Sequence, residues 1–204
     1  MPGLRALILH GWQGSGPGHW QTWLAARLRA AGAHVQYPEL PDCDIPCPDR
    51  WGASLHREVR ALAKGEGERI VIAHSLGCVL WLREAANIRP RHRVDRVVLV
   101  APPCPGAKVP ELARFYPTGA DKAAIDAAAG HTRLVCADND AYCPGRGAAQ
   151  QWGAPLELVV DLLPGAGHLN TEAGYGPWPE MEAWALGDLD ALAPYAGAKK
   201  GSEM

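Results

Sequence analysis

Apolar residues along this chain recur in two rhythms that take turns. Short runs rich in β-branched residues and leucine read as strands buried on both faces: residues 4–10 (L-R-A-L-I-L-H), 34–37, 70–73 (I-V-I-A), 93–101 (R-V-D-R-V-V-L-V-A), 132–137 and 156–161. Between them, apolar positions fall three and four apart. Trp20, Trp23, Leu24, Leu28 and Ala31 mark a helix face that Gly32 stops, with both tryptophans expected to pack on the sheet. Trp51, Leu55, Val59 and Leu62 mark a second face, with Asp49 as its cap, and Leu76, Val79, Leu80 and Ala85 a third. Further helices are expected near 121–129 and over 144–153, and Trp178, Met181, Ala185, Leu189 and Leu192 make a last face. Strands alternating with helices predict an α/β fold of about six parallel strands with helices on both faces. Ligands in such sheets bind at the carboxyl ends of the strands.

Composition narrows the picture. The chain has 204 residues, 48% hydrophobic and 21% charged, which suits one globular domain over 1–196 with a frayed tail at 197–204. A net charge of −2 makes no electrostatic case for nucleic acid or an anionic membrane. No apolar run approaches the ~20 residues that span a bilayer, and the N-terminus enters a strand without a leader pattern. A cytoplasmic location is therefore expected. The six cysteines (Cys43, Cys47, Cys78, Cys104, Cys136 and Cys143) are expected to be reduced, with Cys78 and Cys136 buried. Cys43 and Cys47 lack a matching pair, so no metal site is predicted.

The chemistry is concentrated after the strands. Residues 69–85 read R-I-V-I-A-H-S-L-G-C-V-L-W-L-R-E-A: a strand, a sharp turn at Ser75, then a helix. That is the nucleophile elbow of the α/β-hydrolases, in which the turn lifts the serine hydroxyl clear of the sheet. Ala73 and Gly77 provide the small flanking positions, with alanine where glycine is usual. A serine nucleophile needs a base, and the base a partner that holds its tautomer. In this fold the chain order is serine, acid, histidine. Asp138 and Asp140 follow the fifth strand and His168 follows the sixth; His10 follows the first. The other histidines sit in helices, at a strand start or in connections. If the backbone is extended at 138–140, the two aspartates point apart and one of them faces His168. The oxyanion hole is expected from the backbone N–H groups of Leu76 and Trp12, the latter in the loop G-W-Q-G-S-G-P-G. That loop lacks the spacing of a phosphate or dinucleotide fingerprint. Residues 102–130, with five prolines, form a cap-like segment whose Leu112, Phe115 and Tyr116 are candidates to roof a small acyl pocket.

L-H-G-W-Q-G-S-G-P-G-H-W-Q-T-W, A-H-S-L-G, D-N-D-A-Y-C-P and G-A-G-H-L-N-T-E-A-G-Y-G-P-W-P-E together resemble the small bacterial serine hydrolases related to retinoblastoma-binding protein nine. The resemblance runs from Leu7 to about Trp184. It implies a compact α/β-hydrolase fold with Ser75 as nucleophile, Asp140 as acid and His168 as base. Asp140 stands in the D-x-x-[VC]-P pattern that carries the acid in that family, which leaves Asp138 as a turn residue. The expected activity is hydrolysis of small acyl esters through an acyl-enzyme, with no metal or organic cofactor. A protein-binding module that lost turnover is the reading from another class, and a thioesterase or peptidase would use the same three residues.

Overall fold

A computed structural model describes residues 3–145 and 147–193. Within these residues six strands form one all-parallel sheet in the order β2-β1-β3-β4-β5-β6. They are β1 (Arg5–Leu9), β2 (His34–Gln36), β3 (Arg69–His74), β4 (Val94–Val100), β5 (Ala129–Cys136) and β6 (Val159–Leu162). Among the described residues five α-helices connect or flank them: α1 (Trp20–Ala30), α2 (Pro48–Leu62), α3 (Leu76–Glu84), α4 (Lys122–Ala128) and α5 (Pro179–Leu186).

The two-residue period of the strands sorts the core into two layers. Leu7, Leu9, Val71, Ala73, Val97, Leu99, Leu134 and Cys136 face α2, α3 and α4, while Ala6, Ile8, Ile70, Ile72, Val98, Val100 and Val135 face α1 and α5. Both faces are covered, which is why the central strands read as unbroken apolar runs. The chain reverses direction of winding at β1, whose neighbours are β2 on one side and β3 on the other. The crevice at that switch point is where such sheets bind ligands.

Several elements differ from expectation. The second helix starts one residue earlier than its presumed cap: Pro48 takes its first turn after Cys47, and Asp49 lies inside it. Proline suits that position because its missing N–H would be unpaired anyway. The helix expected over 144–153 is shorter: residues 147–148 are helical and run into a π-helix, Ala149–Gly153, with Gly145 and Gly147 at φ 81° and 71° at its start. The last helix stops at Gly187, whose φ of 85° is left-handed. Leu192 is buried all the same, held by its N–H to Asp161 Oδ2 at 2.9 Å. The tail expected to fray, 197–204, lies outside the described residues. Among the described residues no helix is long and apolar enough to cross a membrane.

The cysteines are the largest correction. Cys104 and Cys143 are joined in a disulfide, where reduced thiols were expected; Cys43, Cys47, Cys78 and Cys136 are free. The pairing spans 39 residues and is made by the fold: the segment after β4 runs beside the loop after β5, and the Cys104 N–H donates to the Tyr142 carbonyl at 3.0 Å.

Candidate active site

Ser75 sits between β3 and α3 with φ 53° and ψ −125°. A non-glycine residue there stores on the order of 1–3 kcal/mol of backbone strain. Its N–H donates to the Val100 carbonyl at 2.9 Å, and its side chain does not cap α3. The hydroxyl is thus left for other work. The tightness of the elbow explains its small residues. A Cβ on Gly77 would lie 2.7 Å from both the Leu9 and His10 carbonyl oxygens, and one on Gly11 would lie 2.7 Å from the Ser75 Cβ. Ala73 is fully buried in the core beneath the turn, so alanine fits where glycine is usual.

The hydroxyl meets His168, whose Nε2 lies 2.9 Å from Ser75 Oγ. On the other side of the ring, Nδ1–H donates to Asp140 at 2.8 and 3.0 Å. The Asp140 carboxylate is 1% exposed, which favours a strong charge-assisted bond. It also accepts the Tyr142 N–H at 2.9 Å, closing an Asx-type turn that lays the Tyr142 ring 4.3 Å from the His168 ring. Asp138 stands away from the imidazole. Its Oδ1 takes the Gly165 N–H at 2.8 Å, and Asn139 Oδ1 takes the Gly167 N–H at 2.7 Å. The three consecutive side chains of D-N-D therefore all grip the loop that carries His168. Asp138 was expected to cap its own turn; it braces the histidine loop instead.

Two more contacts hold that loop, and neither was read from the sequence. His74 Nε2–H donates to the His168 carbonyl at 3.0 Å. Trp20, expected only to pack, also donates its indole N–H to the Leu169 carbonyl at 2.9 Å. The signal for both was adjacency: His74 precedes the serine, and Trp20 lies in the H-W-Q block.

The backbone N–H groups of Trp12 and Leu76 make no hydrogen bond among the described residues. Leu76 opens α3, where N–H groups lack intrahelical partners and the helix dipole is positive. The Trp12 indole is tied down by its N–H to the Asp44 carbonyl at 3.0 Å. The cavity above the serine holds about 240 Å³ and is lined by, among others, Trp12, His19, Tyr142, Asn170 and Leu112. A larger one, about 620 Å³, lies at the opposite end of the sheet beside Arg96, His131 and Trp184, away from these groups.

The two candidate pocket residues do not line the serine cavity. Phe115 is fully buried with its ring 5.4 Å from that of Trp51. Tyr116 donates its hydroxyl to the Pro103 carbonyl at 2.8 Å and stacks on Trp152. The segment 102–130 folds down over α2 and α3, and of the three apolar residues only Leu112 reaches the cavity.

The comparisons with known proteins agree with this architecture. A family model described as serine hydrolase matches residues 6–185. The chain belongs to the serine hydrolase family. It is 26% identical over 176 residues to the hydrolase YdeN of Bacillus subtilis, covering 84% of this chain and 89% of that protein. The YdeN crystal structure superposes with a TM-score of 0.79 at 22% identity, over 90% of this chain and 97% of that one. A YdeN-like hydrolase from Pectobacterium atrosepticum gives 0.67 at 23% identity, over 92% and 94%. The Pyrococcus furiosus esterase Pf2001 gives 0.62 at 16% identity, over 92% and 80%. These structural likenesses establish the α/β-hydrolase fold.

Proposed function

We propose that this serine hydrolase cleaves small carboxylic esters through Ser75, His168 and Asp140. The observation that carries the reading is the unbroken chain of hydrogen bonds from Ser75 Oγ through His168 to Asp140, set on a strained elbow. Ser75 Oγ attacks the ester carbonyl as His168 Nε2 takes its proton, and Asp140 stabilises the imidazolium. The oxyanion accepts from the Trp12 and Leu76 N–H groups. Collapse of the tetrahedral intermediate expels the alcohol, which takes the proton back from His168, and leaves an acyl-enzyme. Water, deprotonated by His168, then releases the acid and restores the serine.

A cavity of about 240 Å³ suits a small substrate. The esterase name of one structural neighbour supports an ester as the substrate class. An assembled triad argues against a module that only binds. We also infer a cytoplasmic location, where four free thiols suit a reducing medium while the bonded pair is buried. The test is a fluorophosphonate probe together with p-nitrophenyl esters of increasing chain length. Wild type is expected to label and to turn over the short esters. Ser75→Ala is expected to do neither, losing roughly 10⁴–10⁶ in turnover. Labelling that persists in Ser75→Ala would refute the nucleophile.

A further inference from the structure

Three imidazoles line up beside the serine. The rings of His19 and His74 lie 4.8 Å apart between centroids, and those of His74 and His168 5.1 Å apart. Their hydrogen bonds settle where the protons are. The Gln21 N–H donates to His19 Nδ1 at 3.1 Å, capping α1, so neutral His19 carries its proton on Nε2. His74 Nε2 faces the His168 carbonyl, which can only accept; its proton is therefore on Nε2 and Nδ1 is bare. Burial keeps both rings neutral. It pushes His19 down to about 4 and His74 well below the usual histidine value, with neighbouring imidazoles adding to the effect.

Each ring keeps one nitrogen that the triad does not use: a donor on His19 and an acceptor on His74. Neither makes a hydrogen bond among the described residues. The two residues are 6% and 4% exposed, and both belong to the wall of the cavity that holds Ser75. His10 is different, because both its ring nitrogens are taken, one by the Gly11 carbonyl and one by the Leu40 N–H, each at 2.8 Å. The rings that carry this donor and this acceptor are neighbours, 4.8 Å between centroids, and a donor paired with an acceptor is complementary to a hydroxyl group. Its oxygen accepts from His19 while its proton goes to His74. An ether or ketone satisfies His19 alone and an ammonium His74 alone. A carboxylate would set its charge against the bare His74 nitrogen, on a wall that also carries Glu172.

We propose that His19 and His74 select substrates bearing a hydroxyl group near the scissile ester. The inference rests on the ester-hydrolase reading above and adds a substrate class to it. The hydroxyl can lie in the alcohol half or the acyl half, and matched ester pairs separate the two. 2-Hydroxyethyl butanoate is compared with propyl butanoate, and ethyl 3-hydroxybutanoate with ethyl 3-methylbutanoate. The readout is the ratio of kcat/KM within each pair. Wild type is expected to prefer the hydroxylated member of one pair, and His19→Ser to lower that ratio about three- to tenfold, the worth of one neutral hydrogen bond. Serine keeps the cap on α1, and His19→Asn is a second variant that does so. A general loss of fold or of triad alignment slows both members and leaves the ratio unchanged. No preference in either pair, or a preference that survives both His19 variants, overturns the inference while leaving the esterase reading intact. A wild type that labels with fluorophosphonate but hydrolyses none of the four esters overturns both.

Discussion

At Asp140 one carboxylate makes two kinds of bond, and they separate chemistry from architecture. The bonds to His168 Nδ1–H set the tautomer that leaves Nε2 bare toward Ser75, while the bond to the Tyr142 N–H shapes the turn. Asp140→Asn preserves the shape but supports the wrong tautomer, so turnover is expected to fall by roughly 10⁴ with little change in melting temperature. Asp138→Ala is expected to do the reverse. It removes the acceptor of the Gly165 N–H, at about 1 kcal/mol of stability, and leaves most activity. Steady-state kinetics and thermal melts on both variants check the pair. Trp12 poses a similar choice between backbone and side chain. Trp12→Phe loses the indole bond to Asp44 and keeps the backbone donor, so most turnover is expected to remain. Trp12→Pro removes the donor and is expected to raise the barrier by roughly 2.7–4 kcal/mol. Full activity in a folded Trp12→Pro would place the second oxyanion donor elsewhere.

The elements owe their positions to close backbone approaches that side-chain pattern does not report. The elbow helix α3 rests against the end of β1 at Gly77, where a methyl group would press on two carbonyl oxygens at 2.7 Å. Backbone cannot rotate aside as a side chain can. Gly77→Ala is therefore expected to lose about 3 kcal/mol or more of stability, or to express insolubly, as read by a denaturant titration. Helical periodicity predicted α1 and α2 to within a few residues, but it overran α5, because Leu189 and Leu192 continue the spacing past Gly187 without continuing the helix. The cap-like reading of the 102–130 segment also suggested a roof over the site from Leu112, with Phe115 and Tyr116; of these, Phe115 and Tyr116 turn away. Those two side chains pack against Trp51 and Trp152, contacts that no local spacing could show.

Across the whole molecule, three buried histidines couple stability to pH. His10, His19 and His74 are all depressed by burial. For His19 the value moves from 6.5 to about 4, and between those values the unfolded chain binds more protons than the folded one. Stability from this group is fully present above about pH 6.5 and lost as pH falls toward about 4, for about 3 kcal/mol in all. Thermal melts are expected to fall along this acid limb, and His19→Ser to flatten it; an unchanged slope would rule out the buried neutral ring. The amino-acid sequence by itself determined the alternation of strands and helices, the sheet with helices on both faces, the elbow at Ser75, and the placing of Asp140 and His168 on loops at one sheet edge. All of these follow from short-range rules: periodicity, turn chemistry and the strand-end geometry of parallel sheets. The tertiary structure alone decided that Asp138 braces the loop of His168, that Cys104 bonds Cys143, that the 102–130 segment buries its aromatics away from the serine, and which ring nitrogens remain open beside it. Those outcomes depend on distances between residues far apart in the chain, which are set when the loops after different strands are brought together and compete for the same partners.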